Sequence, residues 1–212
     1  MNTMKTYYKT LADTVIKNLQ KRQIEGYYCD TCEEAVKLAG DMIAPGSIVS
    51  FGGSMTLSES GMMNALTGRS DITLYDRNTA KNQDDITAIY HKAFDADYFF
   101  MSSNAISATG ELVNIDGTGN RVAALIYGPK HVIILAGMNK VAPDLATAMA
   151  RAKNTATAPN SIRLNRATPC AATGLCSDCQ SPDCICCQTV ITRRSRDVDR
   201  IKVILIGENL GY

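Results

Sequence analysis

Residues 47–61 read SIVSFGGSMTLSESG, and the fold turns on how this stretch is read. Ser47–Phe51 is a short apolar, β-branched run of the kind that is buried in a sheet. The glycine pair and hydroxyls that follow lead into a helix expected over Ser58–Leu66, so the whole is a strand–turn–helix unit. Gly52 and Gly53 let the backbone approach a ligand. Ser54 and Thr56 stand where free N–H groups of a helix start would face an anion, with Glu59 about one turn further on. The stretch has neither the lysine of a P-loop nor the spacing of a dinucleotide fingerprint. Without a ligand, the same residues make a tight turn with a capping hydroxyl.

The chain alternates on both sides of this unit. Residues 1–24 read as one helix, with Leu11, Val15, Ile16 and Leu19 at helical spacing. Cys32–Met42 reads as a second helix, opened by Thr31 and Glu34 in capping-box positions and stopped by Pro45 and Gly46. Strands are expected over Ile72–Tyr75, Ala96–Ser102, His131–Ala136 and Ile201–Ile206, and helices over Asp84–Ala93 and Pro143–Asn154. Such alternation predicts an α/β fold, a mainly parallel sheet flanked by helices, with ligands beyond the carboxyl ends of the strands. A chain of 212 residues fits a single domain, 1–212.

Composition narrows the classes. Lys and Arg number 22 against 21 Asp and Glu, and 45% of residues are hydrophobic, which excludes a disordered chain and gives no support to nucleic-acid binding. The apolar runs are far too short to cross a membrane, and the polar N-terminus lacks a signal-peptide core, so the expected location is cytoplasmic. Charge is uneven. Residues 151–202 hold nine basic and four acidic side chains, a net of +5.

Two further polar stretches follow strands. Residues 104–121 (NAISATGELVNIDGTGNR) hold Asn104, Thr109, Gly110, Asn114, Gly117, Gly119, Asn120 and Arg121 as ligand-contact candidates, and Glu111 and Asp116 as carboxylates. The plain alternative is a hairpin, with Glu111–Ile115 as a strand and Asp116-Gly117 as its turn. Asn139 and Lys140, after His131–Ala136, place an amine at a strand's carboxyl end. There it can bind a carboxylate or phosphate, move a proton if desolvated, or sit in solvent.

Taken together, GGSMTLSESG, SATGELVNIDGTGNRVA and AGMNKV resemble, in order and spacing, the LUD (lactate-utilisation protein) domain family across essentially the whole chain. The resemblance implies a fold like the NagB/RpiA/CoA-transferase group and a place in bacterial oxidation of lactate or a related small organic acid, alongside iron–sulfur proteins. By analogy with isomerases of that fold, Gly52, Gly53, Ser54 and Thr56 would bind an anionic group. Glu59, Glu111, Asp116 and Lys140 would then be the acid–base candidates.

Eight cysteines complete the reading. Six of them, Cys170, Cys176, Cys179, Cys184, Cys186 and Cys187, fall within 18 residues inside the basic stretch 151–202, and the Cys-rich segment, 163–192, is set between a helix and the last strand. In a reducing compartment such clusters are metal ligands or redox groups more often than disulfides. Cys176-x2-Cys179 has chelating spacing, but spacing alone does not choose among the later three. A subgroup of the resembled family carries TPC-x5-C-x2-C-x6-C before a strand ending ENLGY. That pattern implies Cys170, Cys176, Cys179 and Cys186 as ligands, of an iron–sulfur cluster, 4Fe–4S, or alternatively of structural zinc. Cys29-x2-Cys32 precedes a helix, but Gly26-Tyr27-Tyr28 makes a poor buried strand before it, so this pair reads as structural thiols first, with a redox pair or a metal pair completed from elsewhere as the alternatives. Three roles follow: an enzyme with an anionic substrate on Gly52–Thr56, an accessory subunit relaying electrons to iron–sulfur partners, or a metabolite-sensing regulator. A homodimer is the base-rate expectation.

Overall fold

The computed structural model describes residues 3–212, so the expectation of helix at Met1 and Asn2 lies outside the described residues. The chain opens with α1 (Thr3–Lys21), β1 (Glu25–Cys29), α2 (Cys32–Asp41) and β2 (Ile48–Phe51). Two short helices, α3 (Met55–Glu59) and α4 (Met62–Thr67), lead to β3 (Thr73–Tyr75), α5 (Gln83–Lys92) and β4 (Tyr98–Met101). A hairpin of β5 (Ala105–Ser107) and β6 (Leu112–Asp116) precedes α6 (Asn120–Ile126), β7 (His131–Gly137) and β8 (Val141–Ala142). The remainder holds α7 (Leu145–Arg151), α8 (Ala158–Arg163), α9 (Pro169–Thr173), β9 (Gln188–Thr192) and β10 (Ile201–Ile206).

Six strands form a wholly parallel sheet in the order β1-β10-β7-β4-β2-β3. Its central strands are apolar on both faces because both faces are covered. Along β7, Val132, Ile134 and Ala136 join the core made with α1, α6 and the hairpin. Ile133 and Leu135 join the core made with α2, α3 and α4. A second sheet, β8-β5-β6-β9, packs on α7 through Ala105, Val113, Ile115, Ala148 and Ala152. The expected α/β architecture with a mainly parallel sheet is therefore the one observed.

Local boundaries differ for physical reasons. Gly26-Tyr27-Tyr28 does lie in a strand, but at the sheet edge, half-buried and paired only with β10, so no fully apolar run is needed. The helix expected over Ser58–Leu66 is two helices, parted at Gly61, whose φ of +83° breaks the ladder. The 104–121 hairpin turns at Thr109-Gly110, where Gly110 has φ +95°, and not at Asp116-Gly117, which instead leads into α6. The helix expected over Pro143–Asn154 starts later and runs on as a π-helical turn, Ala152–Thr157, into α8. The wider turn precedes Pro159, whose ring and missing N–H would break a regular α-helix. β9 lies between the cysteine segment and the last strand, so that segment leads into the second sheet first.

Candidate functional site

A cavity of about 350 Å³ opens beyond the carboxyl ends of β2, β4 and β7. β2 delivers Gly53 and Ser54 to it, β4 delivers Ser102 and Ser103, and the turn after β7 delivers Lys140. Asp116, Gly117, Asn120 and Arg121 come from the end of β6 and the start of α6. Asn160, Arg163 and Arg166 form the rim from α8 onward. Arg77, Arg121, Lys140, Arg163 and Arg166 line it against one lining acid, Asp116; Arg166 is also paired with Asp183 at 2.9 Å, and the lining stays cationic.

Arg121 organises the floor. Its Nη1 donates to Asn114 Oδ1 (2.6 Å) and the Ser102 carbonyl (3.1 Å). Nη2 donates to Asn104 Oδ1 (2.9 Å) and the Ile115 carbonyl (2.7 Å), and Nε lies 3.3 Å from Asp116 Oδ2. Burial lowers its pKa, against the pull of Asp116. With its four terminal N–H donors hydrogen-bonded and Nε facing the Asp116 carboxylate, this guanidinium fixes the shape of the cavity and leaves the ligand to others. Asp116 is likewise held, its Oδ1 accepting from the Gly119 N–H at 3.1 Å.

The glycine pair earns its place between two arginines. A Cβ on Gly52 would lie 2.9 Å from Arg121 Cγ, and one on Gly53 would overlap the Arg77 guanidinium. Arg77, braced by Nη1 donating to the Tyr90 hydroxyl at 3.0 Å, can thus lie over the turn and face the cavity. Ser54 serves both sequence readings, since its Oγ accepts from the Leu57 N–H (3.3 Å) as helix cap while the residue lines the cavity.

Lys140 is 5% exposed, and its Nζ donates to Ser102 Oγ at 3.1 Å. Burial, then the nearby Arg151 and Arg121, bring its pKa down to about 7, with Glu59 pulling weakly the other way. Arg151 itself is lowered to about 10 by burial and donates through Nε to the Asn139 carbonyl at 2.9 Å.

The other sequence-predicted residues divide into four groups. Asn114 and Gly52 lie one layer beneath the cavity. Thr56, Glu59 and Asn139 hold the residues after β10. Leu210 N–H donates to Asn139 Oδ1 (3.1 Å), Gly211 N–H to Glu59 Oε2 (2.6 Å), and Thr56 Oγ1 to the Leu210 carbonyl (3.4 Å), which brings Tyr212 to the cavity. Gly119 caps α6. Glu111, Thr109 and Gly110 sit elsewhere, against α1. There Glu111 pairs with Arg22 and accepts from Ser107 and Thr109 (2.5 Å from the latter), which together hold its pKa below the usual carboxylate range despite burial. Arg77, Ser102, Arg151 and Tyr212 were not singled out from sequence; Arg77 and Ser102 do follow strands, which is where a ligand-facing residue is sought.

A second cavity, about 130 Å³, is lined by Cys170, Cys176, Cys179, Cys184 and Cys186. Burial, then Cys184, and more weakly Cys179 and Cys176, push the Cys186 thiol up to about 11. Burial also works to raise Cys170, but contacts with Thr168 and Ser161 outweigh it and hold that thiol below its ordinary value. Cys184 and Cys187 lie 3.8 Å apart, sulfur to sulfur. Among the described residues, no three His, Cys, Asp or Glu side chains meet closely enough to grip a single metal ion. Ile115 and Ile185 line both cavities and so form a shared wall. Cys29 ends β1 and Cys32 opens α2, whose N–H donates to Glu208 Oε1 at 2.8 Å. Burial and then Glu208 push Cys32 up to about 11, the opposite of an activated thiol.

A family model described as LUD domain matches residues 12–206. Among solved structures, the chain is similar to a DUF162-family protein from Deinococcus radiodurans. That match has 9% identity and a TM-score of 0.52, over 94% of this chain and 98% of that one. It is similar over about half its length to two chains from Chaetomium thermophilum. These are eIF2B delta (19% identity, 56% of this chain, 50% of that chain, TM-score 0.36) and eIF2B beta (16%, 55%, 44%, 0.38). No curated protein matches the sequence. No helix among the described residues is long and apolar enough to cross a membrane.

Proposed function

Because the chain belongs to the LUD (lactate-utilisation) domain family, we propose that it acts in the cytoplasm in the oxidative metabolism of lactate or a related small organic acid, whose anionic end it binds in the 350 Å³ cavity. The observation that carries the reading is a buried amine, Lys140, facing a cavity whose one acid is already paired with Arg121. Removing cations from water is costly unless an opposite charge arrives, so the lining favours an anion. Lys140 and Arg77 would hold that anion, and the Lys140 amine would take or return a proton near neutral pH.

Cys170, Cys176, Cys179 and Cys186 would hold a 4Fe–4S cluster behind the shared wall of Ile115 and Ile185. One feature supports the fit: the four thiols line one cavity. When bound, such a cluster supplies one-electron transfer, and iron–sulfur partner proteins would exchange electrons with it.

Iron, sulfide and zinc content with a visible spectrum, on anaerobically purified protein, tests the cysteines; calorimetry with L-lactate and pyruvate tests the cavity. Brown protein with iron and sulfide in similar amounts, and binding of either acid, is expected. One zinc in colourless protein would make the segment a structural staple, and absence of metal under strict anaerobic handling would overturn the cluster. A non-catalytic role as relay subunit or sensor is favoured by one observation: Glu59 and Glu111 both hold structural hydrogen bonds outside the cavity.

A further inference from the structure

Lys140 is a primary amine without a counter-ion. It closes the 3₁₀ turn Met138–Lys140 at the carboxyl end of β7, is 5% exposed, and lines the cavity. Its hydrogen-bond partner is a hydroxyl, Ser102 Oγ, at 3.1 Å, and it takes part in no ion pair among the described residues. Neighbouring charges of its own sign, Arg121 and Arg151, are fixed in place by backbone and amide acceptors. A lysine desolvated beside other cations keeps a large neutral fraction and with it a nucleophilic lone pair. The lowering to about 7 agrees with that geometry.

We propose that Lys140 captures the carbonyl of a small 2-oxo acid as an imine, an inference that rests on the reading of the cavity as a site for small organic acids. The Nζ lone pair forms the C–N bond, and one amine proton passes to the carbonyl oxygen through the Ser102 hydroxyl, giving a carbinolamine. The C–O bond then breaks, and the hydroxyl leaves with the second Nζ proton as water. Amine and carbonyl become imine and water, with no oxidant or reductant consumed. The cationic lining would hold the acid's carboxylate, with half-buried Arg77 and exposed Arg163 among its cations.

The test is reductive trapping of the whole protein with pyruvate and sodium cyanoborohydride, followed by peptide mapping. The expected result is a single adduct on Lys140, about ten-fold or more above that on exposed lysines such as Lys37 and Lys130. The adduct should fall when lactate competes. Lys140→Arg keeps the charge but has no nucleophilic primary amine, and should lose the adduct. The mapping on unaltered protein stands even if that variant fails to fold. Pyruvate binding without a Lys140 adduct, or labelling no greater than on exposed lysines, would overturn the imine and leave the organic-acid reading intact. Absence of binding by both pyruvate and lactate would overturn that reading, and the imine with it.

Discussion

Burial of a single amine sets the pH behaviour of this protein. Lys140 has its pKa lowered from 10.5 to about 7, so between those values the unfolded chain holds a proton that the folded chain lacks. Stability therefore rises with pH through that window, and the full cost of a buried charge is felt below about 7. Lys140→Met should stabilise the protein at pH 6 by on the order of 4 kcal/mol, less about 1 for the Ser102 hydroxyl left alone. The gap to wild type should shrink toward pH 10, as urea titrations of both proteins would show; a gap that widens with pH would reverse the assignment. The two glycines should part company. Gly52→Ala presses on the locked Arg121 and should cost about 1–3 kcal/mol of stability. Gly53→Ala meets the far end of Arg77, which can swing away, so stability should hold while affinity for pyruvate falls about ten-fold. Glu111→Gln should lower the denaturation midpoint, through about 1–3 kcal/mol at the Arg22 contact, and leave that affinity unchanged.

At the level of elements, what could be read from sequence depended on how completely each was buried. β7 and β10 are enclosed on both faces and both edges, so they carry the longest apolar runs, VIILAG and VILI within HVIILAG and IKVILI. β1 and β9 are edge strands with half-exposed patterns, and β8 is two residues long; none carries a run that stands out. The site followed the same logic. Strand ends pointed to Gly53, Ser54, Asp116, Arg121 and Lys140. The separation of Glu111 from Asp116, only five residues away, was hidden because it depends on which glycine turns the hairpin. Arg77 and Tyr212 come from elements whose arrival at the cavity is a tertiary fact. α6 is stitched to that hairpin through Arg121, so Arg121→Met should destabilise by about 3–5 kcal/mol, leaving Asp116 buried and unpaired, with calorimetric unfolding as the measurement.

For the molecule as a whole, the net charge of +1 conceals a net +5 over residues 151–202, which carry six of the cysteines, beside a net −4 over the rest of the chain. The segment between α8 and β9 holds one short helix, α9, and is otherwise irregular; it touches the body through α8 and the π-helical turn. Removing the cluster proposed for its thiols should leave far-ultraviolet dichroism nearly unchanged, because the parallel sheet has its own core. The same removal should open the bonds after Arg163 and Arg166 to trypsin. Simultaneous loss of the sheet signal would mean that segment and sheet fold as one unit.

The strand order has a consequence for biosynthesis. β10 lies between β1 and β7, in register with both, yet it is made after every other strand. As the chain is synthesised, α1, β1 and the β7–β4–β2–β3 block stand ready with a gap one strand wide, each side presenting an open apolar edge. Contacts between Glu25 and Lys202 span most of the sequence, which slows closure and prolongs the exposure of those edges to other nascent chains. A sheet whose keystone is delivered last should lean on chaperones and lose yield at high expression rates, which expression with and without added chaperones would show.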